Sequence, residues 1–296
     1  MVNPDQGKVV AYGFETSSAD IRNITTELKK KDLFLCPRYT LPQELRGLSL
    51  FNSDLTFLNL TALKDQLYNN VTEGAYEIAV DLTKNMDSES GAEAISEVIM
   101  KLLRAGSTNT MTYAYKLWNS GGEEIIRNSF PDAFQLIFKG EPVTIVNKQY
   151  QQALKLDASV DSYNDRLALG DSSDKTSKRV SWKFTPLWEN DNVVFKIYNM
   201  ECNMYLKLDA NTDNLGDRKG WGSSNDNEIN HEYYVEPLMK DDALVFRMIN
   251  YQFNQALKMD KNVDSNGDRM LWGHNGMPHN YVGTVPYFNA ANNFVE

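Results

Sequence analysis

Asp157, Asp209 and Asp260 each close the same short pattern, Leu-Lys-Leu/Met-Asp, and are the residues whose type and spacing most invite a chemical reading. A carboxylate offers about four lone-pair sites, enough to accept bonds from vicinal hydroxyls. An aromatic face beside it can stack on a sugar-like ring, and Tyr163, Trp221 and Trp272 are the nearest candidates. The chemistry implied is recognition of a polyol rather than bond cleavage. The same aspartates also suit a structural role, ending strands and receiving turn amides, and that reading carries more weight.

Other constellations fall short of a site. Asp260, Asn262, Asp264, Asn266 and Asp268 alternate like calcium-loop ligands, but the sixth and twelfth places hold Ser265 and Leu271 where such a loop needs glycine and glutamate. No metal is assigned. His231, His274 and His279 are accompanied by no G-x-S-x-G elbow, phosphate-binding glycine loop or reactive-cysteine pattern. Neither an enzyme nor a cofactor is expected. Asp165, Asp217 and Asp268 each precede an arginine, Arg166, Arg218 and Arg269, which suggests an architectural ion-pair or turn role. Asn23, Asn59 and Asn70 each begin an Asn-x-Thr glycosylation pattern, relevant only in a secreted protein. Cys36 and Cys202 are the only cysteines, which excludes a disulfide framework.

The elements that must position these residues are set by an internal repeat, the feature to be sought before any local motif. Three copies run over 143–170, 195–222 and 246–273, with a step of 52 residues between the first two and 51 between the last two. Asn147/Asn199/Asn250, Leu154/Leu206/Leu257, Lys155/Lys207/Lys258, Arg166/Arg218/Arg269 and Gly170/Gly222/Gly273 hold that register. Within each copy apolar and polar residues alternate with the period of a strand, leucines inward and lysine and aspartate outward, separated by Asn-, Asp- and Gly-rich turns. Val180–Phe184 and Tyr233–Val235 add a further strand to the first two copies. One such unit leaves its edges unpaired, and three units of about 50 residues fit a β-trefoil better than a propeller, which needs four or more blades.

Upstream, from Ala62, the period becomes helical. Leu67, Val71, Ala75, Ile78 and Leu82 predict one amphipathic helix; Ile95 to Leu103 predict a second, opened at Ser88 and closed near Gly106. Met111 to Trp118 predict a third, and two short helices flank Pro131. The expected organisation is an N-terminal extension over 1–61, an all-α helical bundle over 62–140 and an all-β trefoil over 141–296. A formal charge of −10 argues against nucleic acid as a partner, and no apolar window is long enough to span a membrane. The opening residues, Met1 to Asp5, show no secretory signal.

The stretches Tyr113–Trp118, Phe134–Phe138, Asp174–Ser177, Arg179–Lys183, Leu187–Asn190 and Asp268–Gly276, set in this two-part organisation, resemble the lepidopteran 30-kDa haemolymph lipoproteins from about residue 62 to the end. The resemblance implies an extracellular, non-enzymatic haemolymph protein that stores amino acids and carries lipid or another small apolar ligand. It also implies a trefoil similar to lectin modules, so the alternative is a carbohydrate-recognition protein of immune surveillance. Lectin trefoils place a glutamine two residues before the closing tryptophan, where this chain has Val180 before Trp182. The family's cysteine pair is replaced here by Thr110 and Ser129.

Overall fold

The computed structural model describes residues 60–84, 86, 88–120, 124–171, 178–225 and 229–276, together with four short strands elsewhere whose backbone alone is described. Chain contacts divide it into two compact units, Met1–Pro131 and Asp132–Glu296.

In the first unit, strands β1 (Val10–Ala11), β2 (Phe34–Pro37) and β3 (Leu55–Leu58) form a small antiparallel sheet in the order β1-β3-β2. Five helices follow: α1 (Leu60–Thr72), α2 (Tyr76–Lys84), α3 (Ser88–Ala105), α4 (Thr110–Asn119) and α5 (Glu124–Asn128). The single helix expected over Leu67 to Leu82 is two. Gly74 takes a left-handed φ of +76°, and its N–H donates to Val71 O while that of Ala75 donates to Asn70 O, which closes α1. The turn resets the helical phase, so α2 buries Tyr76, Ala79, Val80, Leu82 and Thr83, and Ile78 stays half-buried. α3 buries Ile95, Val98, Ile99, Leu102 and Leu103, the face the periodicity predicts. The Asn109 side-chain amide donates to both Val71 O and Thr72 O at 3.0 Å, adding to the bond that Val71 O receives from Gly74 and satisfying the Thr72 carbonyl at the end of α1.

The second unit opens with α6 (Asp132–Lys139), after Pro131, and continues as twelve antiparallel strands. The first copy supplies β4 (Val143–Asn147), β5 (Ala153–Leu156), β6 (Arg166–Asp171) and β7 (Ser181–Glu189). The second supplies β8 (Asn192–Asn199), β9 (Met204–Leu208), β10 (Arg218–Ser223) and β11 (Glu232–Lys240). The third supplies β12 (Ala243–Asn250), β13 (Gln255–Met259), β14 (Arg269–His274) and β15 (Pro286–Ala290), the last of which the sequence pattern did not indicate. β15 pairs with β4, and β6, β10 and β14 pair with one another two by two, so the copies are joined head to tail.

Turn chemistry explains the register. Asn190-Asp191 and Asp241-Asp242 are two-residue hairpin turns with positive φ at both positions, the geometry that matches strand twist. Asn164, Gly216 and Gly267 occupy one left-handed place in the three copies. The repeated Gly222 and Gly273 admit a neighbour's side chain: a Cβ on either would come within 3.0 Å of Leu156 or Leu208 of the preceding copy. Around this seam Leu154, Leu156, Leu206, Leu208, Phe195 and Phe246 are buried, and Trp182 is fully enclosed with its indole N–H donating to Leu154 O at 2.8 Å.

Candidate functional site

Polar side chains carried by the repeat are drawn together at the joins between copies. Lys207 of the second copy meets Asp165 of the first at 2.7 Å, Lys258 of the third meets Asp217 of the second, and Lys155 of the first closes the ring on Asp268 of the third at 2.7 Å. These lysines therefore do not point to solvent as strand alternation predicts; their side chains are 11–20% exposed. Strand alternation counts only the element's own two faces, whereas the preceding copy's loop covers this one. Nor do the aspartates pair with the arginines that follow them. Arg166, Arg218 and Arg269 instead donate to the backbone O of Asp157, Asp209 and Asp260 at 2.8, 3.0 and 3.1 Å. Arg218 and Arg269 also stack on Phe253 and Tyr150 of the next copy, both at 3.9 Å. In the equivalent place beside Arg166 stands Cys202, whose thiol pKa is raised by burial against the opposing pull of Arg166.

The ion pairs differ in their surroundings. Burial opposes the Lys155 ammonium, but hydrogen bonds to Asp268 and Asp171 outweigh it and raise its pKa. Burial likewise opposes the Asp217 carboxylate, and the Asn275 amide, Lys258 and His274 outweigh it and hold its pKa below the usual range.

Asp157, Asp209 and Asp260 each sit half-buried at a strand end, where the backbone N–H bonds across to Leu167, Lys219 or Met270 O. One carboxylate oxygen of each accepts a local amide: Ala158 N–H for Asp157, Asn211 N–H for Asp209 and Asn262 N–H for Asp260. The three are not brought to one place. Two of them line separate clefts. Asp209 lies with Trp221 and Asn211 in a cleft of 380 Å³, whose far wall is Asp161, Tyr163 and Asp165 of the preceding copy. Asp260 lies with Trp272 and Asn262 in an equivalent cleft of 480 Å³, walled by Asp213, Leu215 and Asp217. At the remaining join Leu169 stands where the others have tryptophan. Each of the two clefts thus presents a carboxylate, an amide side chain and an indole, which is chemistry for hydroxyl recognition with ring stacking.

Of the glycosylation patterns, those at Asn23 and Asn59 lie outside the described residues. Asn70 lies in the last turns of α1, its amide donating to Gln66 O at 2.8 Å and Thr72 Oγ1 donating to Tyr68 O at 2.9 Å. The residues in the place of the family's cysteine pair are satisfied locally: Thr110 Oγ1 donates to Ser107 O and Ser129 Oγ to Ile126 O. Among the described residues no group of three or more His, Cys, Asp or Glu is placed to hold a metal ion, and no helix is long and apolar enough to cross a membrane.

Sequence reasoning missed the ring of Lys–Asp bridges and the Asn109 cap. The threefold recurrence of lysine and aspartate in register was the available signal for the ring; nothing local marked Asn109 as a partner for a helix end 37 residues away.

Low molecular mass lipoprotein 3 of Bombyx mori is 37% identical over 81% of this chain and 95% of its own length. Low molecular mass lipoprotein PBMHP-6 of Bombyx mori is 40% identical over 74% of the chain and 85% of its own length. Microvitellogenin of Manduca sexta is 39% identical over 76% and 89%. Among solved structures, the BEL β-trefoil in an apo crystal form aligns with 51% of this chain and 92% of that one at 8% identity and a TM-score of 0.37, below the level that marks a common fold. The family model described as lepidopteran low molecular weight (30 kD) lipoprotein matches residues 61–287, through the helices and all three copies, and the chain belongs to that family.

Proposed function

We propose that this chain is a non-enzymatic, extracellular storage and carrier protein of haemolymph, whose helices form a bundle and whose three copies form a β-trefoil. The family match over both units supports the lipoprotein character. The geometric observation that carries the carrier reading is a groove of 540 Å³ between α1 and α3, where Val98 and Met100 lie beside Lys64, Lys101 and Arg104. Asp65 and Glu97 share the lining and pair with Lys101 and Lys64, so the apolar wall and the Arg104 guanidinium are what suit an amphiphile with an anionic head, and sites between helices are a common place for such ligands. The threefold polar residues support the same assignment from the other side: they are engaged in joining the copies and are not poised for chemistry. Titration of delipidated protein with a fluorescent fatty acid tests this reading. Saturable binding that weakens in Arg104→Ala upholds it, and non-saturable partitioning contradicts it.

A second reading, carbohydrate recognition in immune surveillance, is favoured by the two clefts at Asp209/Trp221 and Asp260/Trp272. Its test is a glycan panel: binding lost in Asp209→Ala with Asp260→Ala supports it, and binding unchanged in that variant counts against it.

A further inference from the structure

The two clefts are built on one plan but carry different charge. The first is lined by three aspartates, Asp161, Asp165 and Asp209, against one lysine, Lys207, which is already bonded to Asp165. The second holds the equivalent Asp213, Asp217 and Asp260 and the equivalent Lys258, bonded to Asp217. Two positions then depart from the repeat. Where the first cleft has Ala210, the second has Lys261. Lys261 is exposed, its backbone O is held by Arg269, and its ammonium makes no ion pair among the described residues. Where Leu167 faces Trp221 in strand register, Lys219 faces Trp272, with its ammonium 5.8 Å from the ring centroid. The Trp272 indole N–H is buried without a hydrogen-bond partner. An orphaned donor of this kind costs free energy unless a ligand or water completes it.

Resting on the polyol reading of the clefts, we infer that they divide their ligands by charge: the cleft at Trp221 takes neutral polyols, and the cleft at Trp272 takes an anionic polyol, a sugar acid or phosphorylated polyol. Asp260 and Asn262 receive hydroxyls, the indole supplies a stacking face and a donor, and Lys261 and Lys219 meet the anion. In the Trp221 cleft the same anion would meet uncompensated carboxylates. Two exposed cations acting through solvent give a preference of about 3- to 10-fold for the anionic form over its neutral parent.

The indole N–H signals of Trp221 and Trp272 in the full chain, assigned with Trp221→Phe and Trp272→Phe, report on each cleft separately. The probes are neutral hexoses, their 6-phosphates and the corresponding uronates. The expected result is that neutral hexoses move the Trp221 signal, that phosphates and uronates move Trp272 at several-fold lower concentration than their parents, and that Lys261→Ala with Lys219→Ala abolishes this difference. Vesicles of phosphatidylcholine with phosphatidylinositol, compared with free inositol phosphate, separate a lipid headgroup from a soluble ligand. Equal response of Trp272 to neutral and anionic forms, or a preference that survives removal of both lysines, overturns the charge division while leaving polyol binding intact. Silence of both indoles towards every probe overturns polyol binding itself.

Discussion

Replacing Lys155 by methionine removes the cation that two aspartates share. Lys155 Nζ lies 2.9 Å from Asp171 and 2.7 Å from Asp268, and all three side chains are about nine-tenths buried. Methionine fills a similar volume, so the loss is chiefly electrostatic. Stripping one partner from a buried pair costs about 3–5 kcal/mol. The variant can limit that cost by protonating one carboxyl, which at pH 7 takes at most about 4 kcal/mol for a group that ordinarily titrates near 3.9. The expected loss at pH 7 is therefore about 3–4 kcal/mol, a fall in Tm of roughly 6–16 °C for a unit of this size. Because protonation relieves the variant, the loss must shrink between pH 7 and pH 4.5. Tryptophan fluorescence in urea reads this unit well, since four of the five tryptophans, Trp182, Trp188, Trp221 and Trp272, lie in it. A loss below about 1 kcal/mol, the range of exposed pairs, or a loss that does not change with pH, would refute the claim that these bridges join the copies.

Further perturbations probe other parts of the account. Gly222→Val places a side chain against Leu156 and should cost about 1–3 kcal/mol by overpacking, and Leu156→Ala introduced with it should recover part of that loss in the same urea assay. Gly74→Ala meets no neighbour within 4 Å, so the left-handed φ alone sets its cost at about 1–2 kcal/mol, read as a lowered melting temperature of the helical unit. Asn109→Ala removes both side-chain hydrogen bonds to the last carbonyls of α1 and should destabilise the same unit by about 1–2 kcal/mol, with faster amide exchange confined to the last turn of α1. The depressed Asp217 pKa predicts a contribution that is full above about pH 4 and lost as pH falls through the lower folded value, so wild type and Asp217→Asn should converge in stability on acidification. A gap that does not narrow as pH falls below about 4 counts against that assignment.

The amino-acid sequence made the repeat legible because corresponding residues need no gap within a copy, and strand positions such as Leu206 and Leu208 follow from alternation alone. It misled where the deciding interaction crosses from one copy to another. Lys155, Lys207 and Lys258 occupy the solvent face of their own strands, and only the neighbouring loop, brought over by the ring of β6, β10 and β14, turns that face into an interior. The helix break at Gly74 went unread because Leu67, Val71, Ala75 and Ile78 keep helical spacing in the sequence, although the turn resets which residues face the core. The clefts were half legible. Asp209 with Trp221 and Asp260 with Trp272 were visible within a copy, whereas Tyr163, Leu215 and the carboxylates opposite them arrive from the copy before. Lys219 and Lys261, which distinguish the clefts, are departures from the repeat and so carry no repeat signal.

The most direct test of the carrier assignment is native mass spectrometry of the protein isolated from its own tissue, followed by organic extraction. The account predicts a mass above that of the polypeptide by a stoichiometric lipid that extraction releases. A population at the mass of the bare polypeptide, with no lipid in the extract, would contradict it.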